Sequence, residues 1–196
     1  MIIGLTGGIG SGKSTILNVF SEFKTVAIFI ADQEAKKLMN SSVEVKSKII
    51  KEFGEEAYKN NKLDRKFIAQ IVFKDKNKLA ILNNLVHPAV AELFIEFSKE
   101  NSHKDYIIYE SAIIFEQNKD ALFDYIIVVT APTEIKIKRL ISRDHTSIDE
   151  VIQRMNNQWN DEKKTLQANY VIMNIQMDES KRLVQEIHNS LIKKSS

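Results

Sequence analysis

The stretch Gly7-Gly8-Ile9-Gly10-Ser11-Gly12-Lys13-Ser14-Thr15 decides how this chain is read. From Gly7 through Gly12-Lys13 to Ser14 it spells G-x-x-x-x-G-K-[ST], the phosphate-binding loop pattern. Residues 1–5 before it read as a short buried strand, and residues 14–23 after it as a helix able to bury Ile16, Leu17, Val19 and Phe20. Strand, glycine turn and helix are the geometry this chemistry needs. Glycines let the backbone close around an anion, while N–H groups and the helix N-terminus supply partial positive charge. In such a loop Gly8, Ile9, Gly10, Ser11, Gly12 and Thr15 surround the nucleotide phosphates. Lys13 reaches the β- and γ-phosphates, and the Ser14 hydroxyl ligates Mg²⁺. Five of the six glycines (Gly4, Gly7, Gly8, Gly10, Gly12) fall in the first twelve residues, which leaves Gly54 alone outside.

Around this loop the bulk properties are those of a globular chain. Its 196 residues suit one compact domain with a small excursion, and 43% apolar with 28% charged residues is ordinary. A net charge of +2 gives no reason to expect nucleic acid as a partner. The absence of cysteine excludes disulfides and thiolate metal sites and fits a reducing, cytoplasmic setting. No stretch is expected to approach ~18 apolar residues, so neither a membrane span nor a membrane partner is expected. The phosphate-loop strand at the start leaves no room for a signal peptide.

Further along, residues 26–30 form a continuous apolar run ending at Ala31-Asp32, as in strands covered on both faces. A helix is expected from Gln33 to Met39. Residues 41–104 show little strand signal and much helical periodicity. One face carries Val45, Ile49, Ile50 and Phe53 and stops at Gly54; another carries Phe67, Ile68, Ile71, Val72 and Phe73. Leu79, Leu82, Leu85 and Val86 follow, with a kink or restart expected at His87-Pro88. Strands return at 106–109, 125–129 and 170–173. Between the last two lies a helix with Ile135, Leu140 and Ile141 inward and Lys136, Lys138, Arg139 and Arg143 outward. After it, Ser147 and Glu150 match a capping box opening a helix with Val151, Arg154, Met155 and Gln158. Asp178 is expected to cap a last helix, and residues 193–196 to fray. The fold expected is α/β, with a parallel five-stranded sheet flanked by helices. Residues 1–40 and 105–196 form its core, about 41–104 a helical insertion, and about 139–160 a lid.

Ligands of such sheets sit beyond the strand C-termini, where the phosphate loop, Asp32 and Glu110 fall. A GTPase reading fails, because Asn118-Lys119-Asp120-Ala121 misplaces the acid of N-K-x-D and no glycine after Gly54 can complete D-x-x-G. A small-molecule kinase needs an acceptor pocket, a base and mobile cations. The insertion, Asp32, and Arg139, Arg143 and Arg154 are the candidates. Asp32 has a plain alternative as a helix N-cap, and the arginines as solvated surface charges.

The chain resembles the dephospho-coenzyme A kinase family over nearly its whole length. The matching segments are Leu5 through Ser14, Asp32, Leu63-Asp64-Arg65, Val72-Phe73-Lys74-Asp75, Leu82-Asn83 and His87-Pro88. They continue with Phe115-Glu116, Arg139-Leu140, Arg143-Asp144, Arg154 with Gln158, and Ala168 through Tyr170-Val171-Ile172 to Asn174. The resemblance implies transfer of the ATP γ-phosphoryl to the ribose 3′-hydroxyl of dephospho-coenzyme A, with Mg²⁺; the sequence does not reveal the oligomeric state, and a monomer is favoured. It implies Lys13, Asp32 and Arg139 as catalytic groups, and Arg143 and Asn174 beside the nucleotide. It also implies Asp32, Arg65, His87 and Glu116 toward the acceptor. Where the family usually reads Asp-x-Pro-Leu-Leu-Phe-Glu after the third strand, this chain reads Glu110-Ser111-Ala112-Ile113-Ile114-Phe115-Glu116. Where an Asp often precedes the last strand, it has Asn169. Glu110 is the expected metal residue with Ser14. A kinase for a nucleoside monophosphate or another small metabolite is the second reading.

Overall fold

Alternating apolar runs and amphipathic stretches resolve, in the computed structural model, into seven strands and nine α-helices among the described residues, 1–72 and 74–195. In chain order they begin β1 (Ile2–Thr6), α1 (Lys13–Phe20), β2 (Val26–Ile30), α2 (Ala31–Ser41), α3 (Val43–Phe53), β3 (Tyr58–Lys59), β4 (Lys62–Leu63), α4 (Arg65–Val72) and α5 (Lys76–Glu100). They end β5 (Tyr106–Glu110), β6 (Tyr125–Thr130), α6 (Thr133–Asp144), α7 (Ile148–Asn156), α8 (Asp161–Thr165), β7 (Tyr170–Met173) and α9 (Met177–Ser195). Phe73, read as part of a helical face, and Ser196, read as part of a frayed end, lie outside the described residues.

The chain divides into two compact units, one of Met1–Phe29 with the chain from Asn101 onward, the other Ile30–Glu100. The first holds a sheet in the order β2-β5-β1-β6-β7, in which β1 runs parallel to β5 and β6, and β6 to β7. Register sets Leu5 opposite Glu110 and Thr6 opposite Val128, so β5 ends beside the close of β1 and β6 runs on past it to Thr130. The central strands β5 and β6 are buried along nearly their whole length because both sheet faces are covered. Ile126 and Val128 pack on Ile114, Phe115 and Trp159, and the pleat sends Ile127 and Val129 to the other side. α1 packs with α9, which also meets β5 and β7.

The second unit is α2, α3, α4 and α5 around Val45, Ile49, Phe53, Ile68, Val86 and Val90, with a small antiparallel hairpin of β3 and β4. That hairpin was not expected. Its turn residues Asn60 and Asn61 both take positive φ, 49° and 62°, as a tight primed turn requires. α5 runs unbroken from Lys76 to Glu100 with Pro88 inside it, so the expected restart does not occur. Packing against α2, α3 and α4 outweighs the one backbone bond that Pro88 cannot donate. By length and composition alone α5 is long and apolar enough to cross a bilayer, against expectation. Its apolar residues are interspersed with Asn83, Asn84, His87, Glu92 and Glu96, which hid the stretch in the sequence.

Other boundaries shift by a turn. α1 stops at Phe20, and α2 begins at Ala31, with Ile30 as its N-cap. Asp178 sits inside the first turn of α9 rather than capping it. Residues 193–195 are helical rather than frayed. Lys194 anchors them, donating to the Tyr170 hydroxyl at 3.0 Å and lying 4.2 Å from the centre of the Tyr125 ring.

Candidate active site

The phosphate loop leaves β1 at Gly7 and enters α1 at Lys13. Its exit residue Gly12 is left-handed (φ 89°), and a Cβ there would run into the Asn174 amide. Asn174, buried just past β7, donates from Nδ2 to the Ser11 carbonyl at 2.9 Å and accepts from Ser180 Oγ at 3.2 Å. Arg139 of α6 donates to the same Ser11 carbonyl at 3.3 Å and to the Asn174 carbonyl at 2.9 Å. Carbonyl oxygens repel phosphate, so engaging this one from behind favours the N–H side of the loop for an anion. Arg139 is therefore half-buried against the loop, not an outward charge as its helix position suggested. Ser11 itself is fully buried.

Lys13 Nζ donates to the Gly7 carbonyl at 3.0 Å and lies 3.9 Å from Glu110 Oε1. Glu110 reaches it because it ends β5, the neighbour of β1, and only 6% of it is exposed. Ser14 stands exposed in the first turn of α1. A Ser hydroxyl and one carboxylate are hard oxygen donors, and among the described residues no cluster of three or more His, Asp or Glu competes with them. That donor set fits Mg²⁺, which keeps its waters and takes much of its shell from substrate phosphates.

The opposite wall comes from residues 155–162. Gln158 accepts from the Ile9 N–H at 2.9 Å, and it lies beyond the end of α7, not on that helix as read. Glu116 fixes this wall: its Oε1 accepts from the Trp159 N–H at 2.9 Å and from the fully buried Lys164 at 2.8 Å. Lys164 also donates to the Ala112 carbonyl at 2.8 Å. Asn160 caps α8 by accepting from the Lys163 N–H at 2.8 Å. Asp161, next in line, accepts from the Thr130 hydroxyl and from Lys136 Nζ, the latter at 2.8 Å. Lys136, expected on the outer face of its helix, is only 4% exposed. A buried ammonium requires a partner, and Asp161 is that partner. A cavity of about 620 Å³ opens here, lined by Gly8, Ile9, Lys136, Met155, Trp159 and Asp161 among others.

α6 and α7 meet through charges. Asp144 takes two hydrogen bonds from Arg143, at 2.7 and 3.0 Å, and one from Arg154 at 2.7 Å. These arginines, Arg143 first, hold its carboxyl far below the usual carboxylate range. His145 in the left-handed region ends α6, and the expected capping box of Ser147 and Glu150 opens α7.

In the second unit, Asp32 is exposed in the first turn of α2 and is not its N-cap. Arg65 is exposed at the start of α4, and His87 is half-buried in α5. Sequence reading thus named the loop, Glu110, Arg139 and Asn174, which the first unit brings together. It missed Thr130, Lys136 and Asp161 as a group, and treated Gln158 only as a matching residue. The sequence carried no signal for this group, since Lys136 reads there as an outward lysine and its burial is a finding of the structure.

A dephospho-CoA kinase family profile matches residues 1–179. The dephospho-CoA kinase of Chlorobaculum tepidum is 38% identical over 200 residues, covering 98% of this chain and 95% of its own. A dephospho-CoA kinase structure from Campylobacter jejuni superposes with a TM-score of 0.72 at 25% identity, covering 100% of this chain and 98% of that one. The Thermus thermophilus structure TT1252 gives 0.87 at 27% identity, covering 97% and 96%. With a phosphate loop so built, and relatives aligned from end to end, the chain belongs to the dephospho-CoA kinase family, ATP-dependent, Mg²⁺-using kinases that phosphorylate a hydroxyl group.

Proposed function

We propose that, in moving the ATP γ-phosphoryl group to the ribose 3′-hydroxyl of dephospho-coenzyme A, the chain divides the work as follows. Residues 7–15 hold the phosphates, with Lys13 against the β- and γ-groups and Arg139 and Asn174 behind the loop. Asp32 accepts the proton of the 3′-hydroxyl as its oxygen bonds to Pγ and the bond from Pγ to the ADP oxygen breaks. Ser14 and Glu110 hold Mg²⁺, which supplies charge neutralisation of the phosphates. Arg143, with Arg154, closes the lid of about 139–160 over the nucleotide. The insertion of about 41–104 takes the acceptor, using Arg65 and His87. Glu116 is assigned to the acceptor as well, through its Oε2, a buried oxygen with no hydrogen-bond partner among the described residues.

The observation that carries this reading is the loop itself, its Ser11 carbonyl tied back to Asn174 and Arg139 and its lysine held at Glu110. The enzyme acts in the cytoplasm as a monomer, and nucleic acid and membrane are not partners. The absence of cysteine and a net charge of +2 support that placement.

A coupled assay offering dephospho-coenzyme A, AMP, UMP and CMP tests the acceptor. Turnover with dephospho-coenzyme A alone is expected, and a preference for a monophosphate overturns it. Asp32→Asn keeps the side-chain size but removes the base, so the rate is expected to fall ~10²–10⁴-fold with ATP binding little changed. Normal turnover of that variant rules Asp32 out.

A further inference from the structure

Lys136 and Asp161 form an ion pair against the first turn of the phosphate loop. A Cβ built on Gly8 would lie 2.8 Å from Asp161 Oδ1 and 3.7 Å from Lys136 Nζ. Thr130, at the end of β6, donates its hydroxyl to the same Asp161 oxygen that Lys136 engages. Both charges therefore face the loop backbone and line the cavity beside it. Neither holds the Ser11 carbonyl, which Asn174 and Arg139 engage. Lys136 is 6% exposed at its side chain and Asp161 19%, so solvent and salt screen them weakly.

We propose that Lys136 and Asp161 set the charge felt by the nucleotide's phosphates at Gly8 and Ile9, the lysine drawing them in and the aspartate opposing it. They are positioning residues, and the inference rests on the loop being the ATP site. The pair is neutral as a whole, so the loop receives a dipole in place of a full charge. Removing one partner leaves the other at full strength against a polyanion. A side chain at position 8 would crowd the Asp161 carboxylate, which keeps the pair close to the loop backbone.

The test is the sign of two single substitutions. Mg·ATP is titrated into each folded variant, with the fluorescence of Trp159 as the signal, since it is the one tryptophan and lines the same cavity. Lys136→Gln leaves Asp161 uncompensated and is expected to weaken ATP binding about tenfold. Asp161→Asn leaves Lys136 uncompensated and is expected to tighten it about threefold or more. The double variant is expected to return to within about threefold of the parent. A merely structural pair moves both single variants in the same direction, or neither, and either result overturns the proposal. Should Lys136→Gln not fold, the Asp161→Asn arm decides alone: tightening upholds the proposal, and unchanged or weaker binding refutes it. Failure of the parent protein to bind Mg·ATP refutes the ATP-site reading itself and is seen before any variant is compared.

Discussion

Lys13 is held by the loop it serves. Its ammonium rests on the Gly7 carbonyl, at 3.0 Å, and near Glu110, at 3.9 Å, so it is in place before any phosphate arrives. Preorganised charge of this kind acts on the transition state, and Lys13→Ala is expected to lose at least ~10²-fold in rate while the protein folds normally. Near-normal turnover of the folded variant would falsify the loop assignment. Glu110 tests a different function. With a carboxylate 6% exposed at the end of β5, Glu110→Gln is expected to raise the Mg²⁺ concentration giving half-maximal rate. Glu110→Asp is expected to be nearly neutral, because a bound water absorbs one methylene. A magnesium titration curve that does not shift with Gln rules Glu110 out as a metal residue. At this scale the sequence was legible where a motif fixes residue types, as from Gly7 to Ser14. It was not legible where a pair is formed across the fold. Nothing local joins Lys136 to Asp161, and a lysine's default place is solvent.

Among elements, those with a strong period were read correctly and those decided by contacts were not. The five sheet strands stand out because continuous apolar runs have no other stable home in an α/β chain. The β3 and β4 hairpin is two residues a side, too short for any alternation, and only the Asn60-Asn61 pair marks it. Pro88 is a local stop signal that the packing of α5 overrides. The α6 and α7 pair was visible in its capping box, yet its tie through Asp144 was not. That tie lies at the surface, where water and salt compete with it, so it is suited to opening. Trypsin cleavage between Arg143 and Ser147 is therefore expected to proceed in the free enzyme and to slow when ATP and dephospho-coenzyme A are both present. Cleavage at an unchanged rate, with both substrates bound by an independent measure, would leave Arg143 and Arg154 as ordinary surface arginines.

Across the molecule, the two units have separate cores: Ile3, Leu5, Ile108, Ile127 and Val128 in the first, Val45, Ile49, Val86 and Val90 in the second. The phosphate loop, and every contact described for it above, belongs to the first. A ligand stabilises only what it binds. At about 100 times its dissociation constant it adds ~2.7 kcal/mol, or roughly 100-fold slower exchange of amides that open with that core. Mg·ATP alone is thus expected to slow hydrogen exchange in β1, β5 and β6 about 100-fold while leaving α3 and α5 where they were. Adding dephospho-coenzyme A is expected to slow α3 and α5 as well, since the insertion is the proposed acceptor site. Equal slowing of both cores by Mg·ATP alone means the chain opens as one cooperative unit, and that result sinks the division of labour between them. No slowing of α3 and α5 by dephospho-coenzyme A added at saturating concentration without ATP places the acceptor elsewhere. The two ligands, added one at a time, therefore test the nucleotide and acceptor assignments separately within one experiment.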